Sequence, residues 1–189
     1  MRPSPDSAQA RLDLGIAMIR NGRVADGEAL CKEAMSLDPE LAQGRYNFAL
    51  QLSRLGRLDE AIEEYKRIIE MAPEFFEARV NLGAALLDRG MADEALSHLQ
   101  KAAALRPGSP EARFNLANAL AMKNRWAEAL PHYEKARNLL PENPLVRINL
   151  AITLANLGRA EDAKKELSKA AELDPGNRRI SEIAGISAA

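Results

Sequence analysis

Cysteine and histidine are nearly absent: the chain holds one cysteine, Cys31, and two histidines, His98 and His132. One thiol rules out an intrachain disulfide and a multi-cysteine zinc site. Two histidines without a clustered carboxylate or second thiol make a poor metal site. There is no glycine-rich phosphate loop, and no serine or cysteine is placed with a histidine as nucleophile and base, so neither an enzyme nor a cofactor is expected. A surplus of charge of one sign is missing too. With 26 basic and 27 acidic side chains, the net charge is −1, which provides no global field for nucleic acid or an anionic membrane, so charge recognition must be local. No apolar run approaches the roughly 18 to 20 residues needed to span a bilayer, and the opening MRPSPDSAQARL lacks the apolar core of a signal peptide. The expectation is a soluble, cytoplasmic chain with no membrane insertion. A composition 47% apolar and 28% charged over 189 residues suits one folded domain.

What is present is a period. Pro39, Pro73, Pro107, Pro141 and Pro175 recur every 34 residues. Three further columns keep the register: Gly15, Ala49, Gly83, Ala117 and Ala151; Gly22, Gly56, Gly90, Asn124 and Gly158; and Gly27, Ala61, Ala95, Ala129 and Ala163. Within the unit starting at Phe76, Arg79, Leu82, Gly83 and Leu86 share one side of a helix at 100° per residue. Glycine or alanine at the eighth place lets that helix approach a second one, where Ala95 does the same. Glycine or asparagine at the fifteenth place stops the first helix in a left-handed conformation, and proline ends the second. One such pair cannot bury its apolar face alone, so successive pairs must stack.

The pattern L-[GA]-x-x-L, then A-x-x-x-[FYL], then P at this period resembles the tetratricopeptide repeat family. The resemblance implies an all-α solenoid of antiparallel helix pairs forming a right-handed superhelix. Expected helices run over 8–21 and 24–37, 42–55 and 58–71, 76–89 and 92–105, 110–123 and 126–139, and 144–157 and 160–173. The repeats are then 8–41, 42–75, 76–109, 110–143 and 144–177, with a capping helix over 178–187 and a disordered segment over 1–7. Two departures stand out. The family's usual aromatic at the fourth place is Arg11, Arg45, Arg79, Arg113 and Arg147, expected to cover apolar surface and pair with carboxylates. Gly27 replaces an expected alanine, which should cost about 0.5 to 1 kcal/mol and let the first repeat fray.

The resemblance also implies that the inner wall of first helices binds an extended peptide or a partner's helix. Its sixth place carries Asp13, Asn47, Asn81, Asn115 and Asn149. The four carboxamides can donate to and accept from the backbone of one extended chain, like the asparagine ladders of O-GlcNAc transferase repeat arms and kinesin light chains; alternatively they bond between adjacent repeats. The fifth place carries Leu12, Tyr46, Val80, Phe114 and Ile148, and the ninth Ile16, Leu50, Ala84, Asn118 and Ile152. This stripe either awaits a ligand, chiefly at Tyr46, Phe114, Leu50 and Asn118, or is buried between adjacent first helices. Arg20 and Arg54 at the thirteenth place make the wall basic toward its N-terminal end, while Glu77, Asp88 and Glu111 make its middle acidic. No lysine or arginine stands at the second or fifth place, so the carboxylate clamp of the chaperone-binding members is not expected. Summed contacts suggest roughly micromolar binding. The function expected is a non-catalytic interaction scaffold, with self-association through the apolar stripe or an open array end as the alternative. Cys31 falls in a core column, and His98 and His132 share one place in consecutive second helices, where surface coincidence is the simplest account.

Overall fold

The computed structural model describes residues 5–186, and side chains over residues 8–183. The disorder expected over 1–7 therefore falls partly outside the described residues. Pro5 already opens the first helix, three residues before the expected start. Proline is accommodated there because an N–H in the first turn has no intrahelical partner to lose.

Among the described residues eleven helices follow one another: α1 (Pro5–Arg20), α2 (Val24–Leu37), α3 (Ala42–Arg54), α4 (Leu58–Met71), α5 (Phe76–Asp88), α6 (Ala92–Leu105), α7 (Pro110–Met122), α8 (Trp126–Leu139), α9 (Pro144–Asn156), α10 (Ala160–Leu173) and α11 (Arg178–Ile186). No strand occurs among the described residues. The fold is all-α, in the register the prolines predict. Each first helix ends where the fifteenth-place residue turns left-handed: φ is 84° at Gly22, 76° at Gly56, 74° at Gly90, 76° at Gly158 and 56° at Asn124. The next N–H then reaches back to a carbonyl of the last turn, as in Arg57 to Leu52 (2.9 Å) and Arg159 to Leu154 (2.9 Å), satisfying a group the helix end leaves orphaned. The residue making that reversal is also the N-cap of the second helix. As arginine it pairs with an acid three residues on, in Arg23–Asp26, Arg57–Glu60, Arg125–Glu128 and Arg159–Asp162.

The chain forms two compact units, residues 1–85 and 86–189, with the division inside α5. In the first, α1 packs on α2, α3 on α4, and α1 on α3. The α1–α2 approach rests on two glycines. A Cβ on Gly15 would lie 2.6 Å from Cys31 Sγ and 2.7 Å from the Gly27 carbonyl oxygen, and one on Gly27 would collide with the Gly15 carbonyl oxygen. Gly27 is thus the residue that admits the neighbouring backbone, a packing reason for glycine here that stands beside its expected cost to the helix. Cys31 is fully buried in this contact, and burial, assisted by Glu28, pushes its thiol up to about 11.

In the second unit α7 packs on α8 and α9 on α10, while α6 meets α7, α8 meets α9, and α7 meets α9. Ala117, Ala129, Ala151 and Ala163 sit in the close approaches, with Tyr133, Leu150 and Leu167 filling the spaces between. α11 packs on α10 with Ile180 buried, closing the apolar end of the stack. The side chains of Ala184 and Ile186, expected on the same face, lie outside the described residues.

Candidate functional site: the wall of first helices

In the first unit, α1 and α3 lie side by side, so close that a Cβ on Gly44 would overlap the Leu12 side chain. Leu12 is consequently buried; Val80 on α5 and, in the second unit, Ile148 are buried too. The aliphatics of the fifth place belong to the packing rather than to an open surface. Ile16 of the ninth place is also buried, but it contributes to the floor of a hollow of about 320 Å³ lined by Asp13, Ile16, Ala17, Arg20, Asn21 and Asn47.

The polar rim of this hollow is only partly committed. Asp13 accepts from Gln9 Nε2 (2.9 Å), and Asn47 Oδ1 lies 3.5 Å from Gln43 Nε2. Asn47 Nδ2 makes no hydrogen bond among the described residues. Arg20 and Arg54 are exposed and form no ion pair among the described residues. Half-buried Leu50 stands one turn from Tyr46.

Tyr46 is fixed from three directions. Its ring centroid lies 5.1 Å from that of Phe75 and 6.2 Å from that of Tyr65, and its hydroxyl accepts from Asn81 Nδ2 at 2.9 Å. Burial raises its phenol pKa, with the Asn81 hydrogen bond opposing. The second unit has a counterpart. Phe114 meets Tyr133 edge-on at 6.0 Å, Tyr133 donates to Asn118 Oδ1 at 2.6 Å, and Asn149 Nδ2 donates to the same oxygen at 2.9 Å. Asn149 Oδ1 is buried without a partner, and Asn115 is half-buried. Asn81 and Asn149 therefore commit donors to the preceding repeat, while Asn47 does not. Phase alone did not single out Phe75, Tyr65 or Tyr133, although all flank the wall positions.

Three tetratricopeptide repeat family models match the chain, one over residues 120–184, one over 46–110 and again over 85–145, and one over 8–33. The chain belongs to the tetratricopeptide repeat family. None of the curated proteins matches it. Solved TPR structures do: MamA 41-end from Desulfovibrio magneticus RS-1, at TM-score 0.82 and 21% identity, covers 91% of this chain and 97% of its own. YrrB, a TPR protein with an unusual peptide-binding site, gives 0.81 and 21%, with 93% and 90% covered. MamA AMB-1 gives 0.76 and 26%, with 88% and 99% covered. These likenesses establish the TPR fold.

The arginines that replace the usual TPR aromatic are held by the chain itself. Arg11 pairs with Glu33 at 3.4 Å, Arg45 with Glu64 at 2.6 Å and Arg147 with Glu166 at 2.7 Å. Arg79, Arg113 and Arg147 also donate through Nε to the carbonyls of Pro73, Pro107 and Pro141, which ties the first turn of a repeat to the end of the previous one. His132 is not a surface coincidence. It is half-buried and its Nδ1 lies 3.1 Å from Arg113 Nη1. The signal was present in the sequence, because Arg45–Glu64, Arg113–His132 and Arg147–Glu166 all share a spacing of 19 residues. Burial first and Arg113 second hold His132's pKa below the ordinary histidine value. Among the described residues there is no cluster of three or more metal-ligating side chains, and no helix is long and apolar enough to cross a membrane.

Proposed function

We propose that the protein is a non-catalytic interaction scaffold whose first-helix walls take an extended segment of a partner protein. The observation that carries this reading is the hollow beside α1 and α3, where Asn47 Nδ2 is unspent and Arg20 forms no ion pair among the described residues; Arg54, outside the hollow on α3, is likewise exposed and unpaired among them. Asn47 supplies a donor for a peptide carbonyl, Ile16 and Ala17 supply an apolar floor, and the two arginines favour an acidic residue on the ligand. Tyr46 and Leu50 extend the same chemistry within the first unit, and Phe114, Asn115 and Asn118 offer it separately in the second. Asn81 and Asn149 act from behind, fixing Tyr46 and Asn118. YrrB, with its peptide-binding site, shares the fold. One unspent amide and two exposed cations contribute about 0.5 to 1.5 kcal/mol each before ordering costs, which fits micromolar peptides.

The test is to select extended peptides on the wild type and titrate them against Asn47→Ala with Arg20→Glu. A loss of about tenfold or more, with Lys169→Ala on α10 unchanged, supports the wall. Equal affinity for all three proteins contradicts it.

A further inference from the structure

A second cavity, of about 390 Å³, opens between α6, α7 and α8, and no residue of the proposed peptide wall lines it. Its lining sets apolar Ala103, Leu116 and Leu120 beside Arg113, Glu128 and His132. Two of the four equivalents of Arg113 show what is missing, while Arg79 has a histidine, His98, at the same spacing. Nineteen residues after Arg45 and Arg147 stand Glu64 and Glu166, each within 2.7 Å of its arginine. Nineteen residues after Arg113 stands His132, whose neutral ring can accept a hydrogen bond but offers no charge. Glu128 does not substitute: its oxygens accept from Arg125 at 2.7 Å, and no ion pair joins it to Arg113 among the described residues. Arg113 thus has no ion pair among the described residues. Its Nε is spent on Pro107 and its Nη1 on His132, and both hydrogens of Nη2 remain.

We propose that this cavity binds a carboxylate carried on a short aliphatic chain, with Arg113 as counter-ion and Ala103, Leu116 and Leu120 beneath the hydrocarbon. The ligand supplies the anion that Glu64 and Glu166 supply within the chain elsewhere. The carboxylate belongs either to a free short-chain acid or to an acidic side chain of a partner peptide. Guanidinium–carboxylate pairing is directional and strong for its size, so the uncharged amide of the same chain binds much more weakly. His132 reports occupancy. Burial first, then Arg113 on α7 and Lys135 on its own helix lower its pKa while Glu128 raises it, and a bound anion offsets Arg113.

The full chain is titrated with hexanoate in one arm and acetyl-Leu-Glu-Leu-amide in the other, with hexanamide as neutral control, while the His132 ring is followed by NMR. Saturation by either acid, with the His132 midpoint rising by at least about 0.5 pH unit, supports the proposal, and the arm that saturates identifies the source. His132→Glu restores the internal carboxylate and should weaken acid binding about tenfold or more by calorimetry with the fold retained; Arg113→Gln should do the same. The proposal is overturned if neither acid moves His132 at up to about 50 mM, if hexanamide binds as well as hexanoate, or if His132→Glu leaves acid affinity unchanged.

Discussion

Arg45 on α3 and Glu64 on α4 meet at 2.6 Å with each side chain only 11% exposed. Glu64 also accepts from Arg67 at 2.8 Å, whereas Arg45 Nε is buried without a partner. The pair is therefore asymmetric, since Arg45 depends on Glu64 alone for its counter-charge. Glu64→Ala strands a buried guanidinium and should cost about 3 kcal/mol, while the double variant Arg45→Met with Glu64→Leu should return to within about 1 kcal/mol of wild type. Urea unfolding of the three proteins measures both. A single variant as stable as wild type would show that the arginine finds another partner.

Gly27 gives a case where helix propensity and packing predict opposite signs. Propensity alone says that Gly27→Ala stabilises α2 by about 0.5 to 1 kcal/mol. The neighbouring Gly15 carbonyl, which the new Cβ would strike, says that it destabilises by about 2 kcal/mol. Chemical denaturation of the variant decides between them, and the fold predicts a lower midpoint.

Cys31 is buried, and its thiol is pushed up to about 11. Only the thiolate is an effective nucleophile, so at pH 8 the folded protein should be inert to a thiol-modifying disulfide reagent and should react fully once unfolded. Rapid labelling of the native protein would contradict the burial.

His132 makes stability depend on pH with a defined sign. Its folded pKa lies below the ordinary value of about 6.5 because burial and Arg113 disfavour the imidazolium. The unfolded chain then binds the proton more readily than the folded one. The contribution is fully present above about pH 6.5 and is lost as pH falls below that value. His132→Gln should remove this loss, so the stability gap between wild type and variant should narrow between pH 7 and pH 5. A gap that widens on acidification would mean that His132 is stabilised as its cation.

Most of this architecture is legible in the 34-residue register, because the places that fix it are the small residues at helix crossings and the left-handed turn at Gly22, Gly56, Gly90, Asn124 and Gly158. The wall is less legible, for a geometric reason. A helical wheel assigns a residue to one side, but a first helix in a stack touches its own partner and the next first helix as well, as α1 touches α2 and α3. Leu12 falls in that second seam, against Gly44, and is buried there; Val80 and Ile148, at the same place of their repeats, are buried as well. The asparagine column has one sequence identity and two uses. Asn81 and Asn149 find Tyr46 and Asn118 one repeat back, while Asn47 has no such donor–acceptor match. Which neighbour sits opposite each asparagine depends on the fifth and ninth places of the previous repeat, and those vary from Leu12 to Tyr46 to Asn118.

The most direct measurement is the side-chain amide NMR spectrum of the protein as a selected peptide is added. A ligand on the first-helix wall of the first unit should shift the Asn47 side-chain NH₂ signals and leave Asn138, on exposed α8 surface, in place. Shifts confined to Asn138 and other second-helix positions, with Asn47 unmoved at saturation, would contradict the assignment of binding to that wall.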